Sequence, residues 1–341
     1  MDGLPVDLWK GARGYLNTAT YGLPPQPAWD ALQSVLADWR EGRTSWEPWN
    51  DATNRAREIW ARLVHVPVEQ VAVGATVSEL VGLVAAAFPR RRVLSTTDEF
   101  ASLLFPWLVN EADVRVVPVR ELADAVDDRT DVVAFSAVQS SNGEVADLEA
   151  VASAARAHGA ITVVDATHAI GWLPLDASRF DAVACAGYKW LLTPRGTAYL
   201  YVAPELLERL RPLHAGWFSS DEPYKSYFGL PLRLADTARR LDTSPAWFSW
   251  VAAVPTLATL EEIGIERIHA HDVALANRFR AGLGLEASDS AIVSTDIEGA
   301  EEKLARAGIR AAVRAGSLRA SFHVYNTEDD ADAAVAALRA G

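Results

Sequence analysis

Lys189 closes the run DAVACAG through Gly187-Tyr188-Lys189, and Asp165 closes the run ITVVD, 24 residues earlier in the chain. Both runs are apolar without polar alternation, the pattern of strands buried on both faces of a parallel sheet. A charge at the end of such a strand is costly unless it has a partner. A lysine can be kept there by joining a cofactor aldehyde as a Schiff base. An aspartate ending the neighbouring strand can then pair with a protonated pyridine nitrogen, the arrangement that pyridoxal 5′-phosphate needs as an electron sink. Two edge-of-sheet charges in water are the plainer alternative, which fits either residue alone better than it fits the pair.

Further residues stand where such a cofactor would need them. Val73-Gly-Ala75-Thr76 is a small-residue turn between a strand-like run and a helix-like stretch beginning near Ser78. Such a turn presents free amides at a helix N-terminus to a phosphate, with the Thr76 hydroxyl as another donor. Phe100, in STTDEFAS, either stacks on a pyridine ring or joins the core. His168, three residues past Asp165, either donates to the cofactor's phenolic oxygen or caps a turn. Ser140, in VQSSNGE, is a second candidate for the same oxygen. Arg319, in SLRASFHV, offers the planar fork that suits a substrate carboxylate, although surface arginines are common.

The elements that must carry these residues are legible in the same way. Between residues 71 and 202 seven strand-like runs occur: VAVG, RVLSTT, VRVVPV, VVAFSAV, ITVVDAT, DAVACAG and TAYLYV. Helix-like stretches such as SELVGLVAAAF and EVADLEAVASAARAH separate most of them, which predicts a mostly parallel, seven-stranded α/β sheet flanked by helices. Only YKWLLTPRG lies before TAYLYV, too little for a parallel crossover, so that strand is expected to run antiparallel. After residue 203 a helix in ELLERLRP, an irregular aromatic stretch, two long helices, three short strands and a last helix indicate a smaller α+β unit. The expected organisation is an N-terminal segment, 1–45, packing on both lobes, a large cofactor-binding domain, 46–245, and a small α+β domain, 246–341.

Composition excludes several classes. The 341 residues are 50% hydrophobic, with a net charge of −13, which disfavours nucleic acid and anionic membrane as partners. VGLVAAAF is among the longest apolar runs and is too short to span a bilayer. MDGLPVDLWKG lacks the basic-then-apolar pattern of a signal peptide, so a soluble, cytoplasmic protein is expected. Cys185, the one cysteine, rules out a disulfide framework and a cysteine-rich metal site.

Asp165-Ala-Thr-His168, Gly187-Tyr-Lys189 and Arg319-Ala-Ser…Tyr325-Asn-Thr together resemble the class V aminotransferase group of fold-type-I pyridoxal phosphate enzymes, which includes cysteine desulfurases, kynureninases and selenocysteine lyases. The resemblance runs from about residue 15 to the end. It implies that Lys189 carries the cofactor, that Asp165 pairs with the pyridine nitrogen and that His168 contacts the phenolic oxygen. It implies Ala75, Thr76 and Tyr188 near the phosphate and Arg319 on the substrate carboxylate. It also implies a homodimer with shared active sites, in which Thr243 or Ser244 reaches the neighbouring subunit's phosphate. The chain departs from desulfurases in having Phe100 where they stack a histidine, and Ala186 and Tyr188 where they carry serine and histidine. The loop that bears their nucleophilic cysteine is contracted here to AGSLRAS, so a persulfide-forming desulfurase is not expected and Cys185 reads as buried packing.

YLNTATYGLPP and SPAWFSW are further similar to the ergothioneine-biosynthesis C–S lyase family. That resemblance implies β-elimination from hercynylcysteine sulfoxide, giving an ergothioneine sulfenate, pyruvate and ammonia. The trimethylammonium group of such a substrate suits aromatic walls, for which Tyr21, Trp46, Trp49 and Trp217 are candidates beside their plainer role in packing. A C–S lyase is thus the first expectation, an aminotransferase or amino-acid epimerase on the same scaffold the second, and a non-catalytic binding protein a distant third.

Overall fold

A computed structural model describes residues 4–340. The chain enters through a segment that touches both halves of the molecule. Trp9, Ala12 and Ala19 lie in the core of the large sheet, while Leu16 lies in that of the small one. Tyr15 and Asn17 bridge to Arg310 and Ser321 of the small lobe. Helices α1 (Gln26–Arg40) and α2 (Glu47–Leu63) follow.

All seven expected strands form: β1 (Val71–Gly74), β2 (Arg92–Thr96), β3 (Asp113–Val117), β4 (Val132–Ser136), β5 (Ile161–Asp165), β6 (Ala182–Ala186) and β7 (Ala198–Val202). They make one sheet in the order β1-β7-β6-β5-β4-β2-β3. Strand β7 runs antiparallel to both β6 and β1, as the short connection before it requires, and the other neighbours pair in parallel. Strands β4, β6 and β7 are buried at every residue, which is why they read as continuous apolar runs. Strand β3 is the exposed edge and is correspondingly polar, with Asp113 and Arg115. Helices α3 (Val77–Ala86), α4 (Ala101–Val109) and α5 (Leu148–His158) connect strands of this sheet.

Beyond β7 the helix expected in ELLERLRP is a single turn, α6 (Pro204–Leu207). The stretch is anchored by Leu206, Leu207 and Leu210, and Pro212 ends any continuation. Helix α7 (Trp247–Ile263) lies past residue 245 yet places Trp250, Leu257 and Leu260 in the same core cluster as the large sheet. Helix α8 (Ile265–Leu283), strand β8 (Ile292–Thr295), helix α9 (Ala300–Arg306), strands β9 (Ala312–Arg314) and β10 (Ser317–Ser321) and helix α10 (Glu328–Arg339) complete the chain. The three strands form an antiparallel sheet in the order β8-β10-β9, with Arg319 on its central strand. Among the described residues, no helix is long and apolar enough to cross a membrane.

Candidate active site

The carboxyl ends of the parallel strands converge on one cavity, lined by residues that end or follow β1, β2, β4, β5 and β6. Ligand sites of open α/β sheets form at these strand ends. Lys189 is reached from β6 through Gly187, where a Cβ would come within 2.1 Å of the Thr193 hydroxyl oxygen, so only glycine fits. The N-terminal segment crosses this loop at Gly22, whose amide donates to the Tyr188 carbonyl at 2.9 Å. Gly22 is equally constrained, since a Cβ there would meet the Lys189 carbonyl at 2.1 Å.

Lys189 is 6% exposed, and its Nζ lies 2.7 Å from His168 Nε2. Burial lowers its pKa to about 8, with Asp165 opposing the shift and Arg319 adding to it. His168 is held well below its ordinary pKa by burial and by the charges of Lys189 and Arg319, so its ring is neutral. The Trp190 indole N–H donates to Nδ1 at 3.4 Å. The single ring proton therefore sits on Nε2, aimed at Lys189, whose amine accepts it in the neutral form.

Asp165 is 5% exposed; its Oδ1 accepts the Thr167 amide at 2.9 Å, and burial pushes its pKa up. Thr167 in turn accepts the Ala186 amide at 3.0 Å, tying the end of β5 to the end of β6. Phe100 presents its ring 5.3 Å from Lys189 Nζ. It is held there by Glu99, whose carboxylate accepts the amides of Phe100 and Ser136, each at 2.8 Å, and the Thr96 hydroxyl, also at 2.8 Å.

Ala75, Thr76, Phe100, Asp165, His168, Tyr188 and Lys189 thus line one cavity. Other sequence candidates lie elsewhere. Ser140 turns to Arg319, which donates to its carbonyl and, at 3.4 Å, to its hydroxyl. Thr243 and Ser244 line a small pocket behind β1, and the Thr243 hydroxyl donates to Glu79 at 3.2 Å. Tyr21 packs its ring 5.4 Å from that of Tyr188, at the rim. Trp217 packs with Trp46 and Tyr227 in an aromatic cluster and is absent from the cavity wall. Cys185 is fully buried in β6, with its thiol pKa pushed well up by burial.

Sequence reading missed Glu99, Ser136, Thr167 and Arg195. Glu99 and Thr167 adjoin or fall inside motifs already singled out and were within reach. Nothing local shows that Arg195 folds back over the Tyr188 ring, with its guanidinium carbon 4.9 Å from the centroid.

Arg319 is 2% exposed, yet among the described residues no carboxylate lies within ion-pair distance of it. Its Nη2 donates to the Thr20 hydroxyl at 2.9 Å, and its Nε has no partner. A buried lysine, a buried carboxylate at the end of the neighbouring strand, an aromatic ring facing the lysine and a helix N-terminus in the same cavity wall fit pyridoxal 5′-phosphate.

The aminotransferase class-V family model matches residues 39–298, and the chain belongs to that family. It is 28% identical over 331 residues to the uncharacterized aminotransferase YcbU of Bacillus subtilis (strain 168), an alignment covering 89% of this chain and 88% of that protein. Isopenicillin N epimerase of Streptomyces clavuligerus is 30% identical over 245 residues, covering 61% and 60%. In fold, the chain superposes on the apo cysteine desulfurase of Thermococcus onnurineus NA1 with a TM-score of 0.83 at 20% identity, covering 98% of this chain and 97% of that one.

Proposed function

We propose that the protein is a pyridoxal-phosphate aminotransferase acting on an amino acid. The observation that carries this reading is Lys189, a buried amine with a pKa near 8 in the wall of the cavity and one hydrogen bond from a neutral histidine. Bound there, the cofactor supplies a sink for electrons released from bonds to Cα. Lys189 anchors it and, once displaced by substrate, takes the Cα proton, for which a pKa near the working pH is favourable. Asp165 keeps a negative charge where the pyridine nitrogen holds its proton. His168 directs Nε2–H toward the oxygen beside the aldehyde, and Arg319 supplies the carboxylate with a fork that has no counter-charge of its own. Phe100, facing Lys189, carries no proton. Acid–base chemistry confined to one side suits return of the proton along the same face better than inversion of Cα, which favours an aminotransferase over an epimerase.

Tyr21 then borders the substrate at the rim. Trp217, Thr243 and Ser244 belong to a surface on which a second copy completes the site, making a homodimer.

A second reading, β-elimination from a cysteine conjugate such as hercynylcysteine sulfoxide, is favoured by the burial of Cys185. It needs the same proton removal, and no exposed thiol stands ready to divert the sulfur. The deciding experiment gives cofactor-loaded protein a panel of amino acids and this sulfoxide, with and without a 2-oxo acid. An aminotransferase turns over continuously only with the oxo acid. A lyase releases pyruvate and ammonia without it, and an epimerase racemises without it. Absence of Cα–H exchange in D₂O for every compound would sink all three.

A further inference from the structure

We infer that Arg195 binds the phosphate of the cofactor and supplies the charge that the helix end by itself lacks. The inference rests on the cavity being a pyridoxal phosphate site.

The cup formed by Ala75, Thr76, Val77 and Ser78 at the N-terminus of α3 is already partly used by the chain itself. Glu79 accepts the Ala75 amide at 3.0 Å, and the Thr76 hydroxyl accepts the Glu79 amide at 3.3 Å as the helix cap. One amide and one hydroxyl lone pair are thereby occupied, and the Glu79 carboxylate brings a negative charge to the place where a dianion must sit. A helix end counters only about half a unit of charge. A dianion in this cup therefore needs a cation.

Two cations line the cavity, Lys189 and Arg195, and Lys189 is committed to the aldehyde. Ala186, another wall residue, has no side-chain donor. Arg195 meets the requirement on three counts. Among the described residues no carboxylate lies within ion-pair distance of it. Its backbone is fixed on both sides: its amide donates to the Tyr21 hydroxyl at 3.2 Å, and its carbonyl accepts the Ser249 hydroxyl at 2.8 Å. Its guanidinium lies over the Tyr188 ring and donates a hydrogen bond to the Tyr188 hydroxyl, which orients the planar fork, and its five N–H donors leave others for an oxyanion.

The test measures binding to cofactor-free protein of pyridoxal 5′-phosphate, of pyridoxal, which lacks only the phosphate, and of inorganic phosphate as competitor. Arg195 is exposed, so Arg195→Gln and Arg195→Lys should fold like wild type. Arg195→Gln is expected to raise the Kd for pyridoxal phosphate about tenfold or more and to weaken competition by inorganic phosphate, with pyridoxal binding unchanged. Arg195→Lys should restore part of the loss. Unchanged affinity for pyridoxal phosphate in Arg195→Gln, or an equal loss for pyridoxal, overturns the inference while leaving the cofactor in place. A wild-type protein that binds neither compound removes the cofactor reading and this one with it.

Discussion

Among the described residues three arginines are buried, and two of them, Arg57 at 5% exposure and Arg319 at 2%, have opposite surroundings; the third, Arg280, donates to the backbone carbonyls of Ser290 and Ile292. Arg57 reaches Asp242 with both terminal nitrogens and donates to the Val71 carbonyl at 2.8 Å. Asp242 also takes the Val73 amide at 2.8 Å, so the pair locks β1, and with it the turn carrying Ala75 and Thr76. Arg319 has only neutral oxygens from Ser140 and Thr20, and burial, with the charge of Arg314 adding, lowers its pKa to about 10. Desolvating a cation is costly in either place, but only at Arg57 does the fold itself supply the counter-charge. A saturated buried pair holds structure. Arg319, with an unpaired Nε and no counter-charge, keeps a donor free for an anion brought from outside.

The largest effect expected lies outside the two arginines, at Lys189. Lys189→Ala should lower turnover by at least about a thousandfold with the fold intact, because it removes anchor and base together. Near wild-type turnover in that variant would overturn the site. Next, Asp242→Ala should cost about 3–5 kcal/mol in denaturant unfolding, since it strands Arg57 as a lone buried charge. Arg319→Ala should cost less, because it gives up packing and hydrogen bonds to neutral oxygens but strands no opposite charge. Equal losses of stability in the two variants would erase the contrast.

Arg319→Ala should instead lower kcat/KM by about 2–5 kcal/mol for every amino-acid substrate, at unchanged cofactor occupancy, with Arg319→Lys recovering only part. Three equal values would make Arg319 structural. The pH dependence follows from Lys189: the neutral amine is the reactive form and its pKa is lowered to about 8. The rate of cofactor capture by cofactor-free protein should thus fall about tenfold per unit below pH 8 and level off above it. A stopped-flow profile still rising toward pH 10 would mean that burial does not tune the amine. The smallest effect belongs to Cys185→Ser, a loss of about 1 kcal/mol from a hydroxyl in an apolar strand, with activity retained. An inactive but folded and loaded Cys185→Ser protein would bring a thiol mechanism back.

The large sheet and the residues at its strand ends are written in local pattern. Buried parallel strands are written as continuous apolar runs, and the polar residue closing each run marks a carboxyl end, so Asp165 and Lys189 were legible as a pair. The reversed direction of β7 followed from the length of one connection. Helix α2 is polar on average but sets Ala56, Ile59, Trp60 and Ala61 among its buried residues, so its helical period was within reach although it was not read. Tertiary structure alone decided where the long-range partners go. Ser140 lies 179 residues from the Arg319 it accepts from, and Thr243 lies 164 residues from Glu79. Trp217 lies off the cavity wall, in an aromatic cluster that joins Trp46, 171 residues before it, to Phe218 and Tyr227 nearby. Local pattern encodes burial because burial repeats every few residues, and the length of a connection encodes strand direction. The partner of a single side chain is set by how two lobes and a crossing N-terminal segment pack, and no short-range period records that.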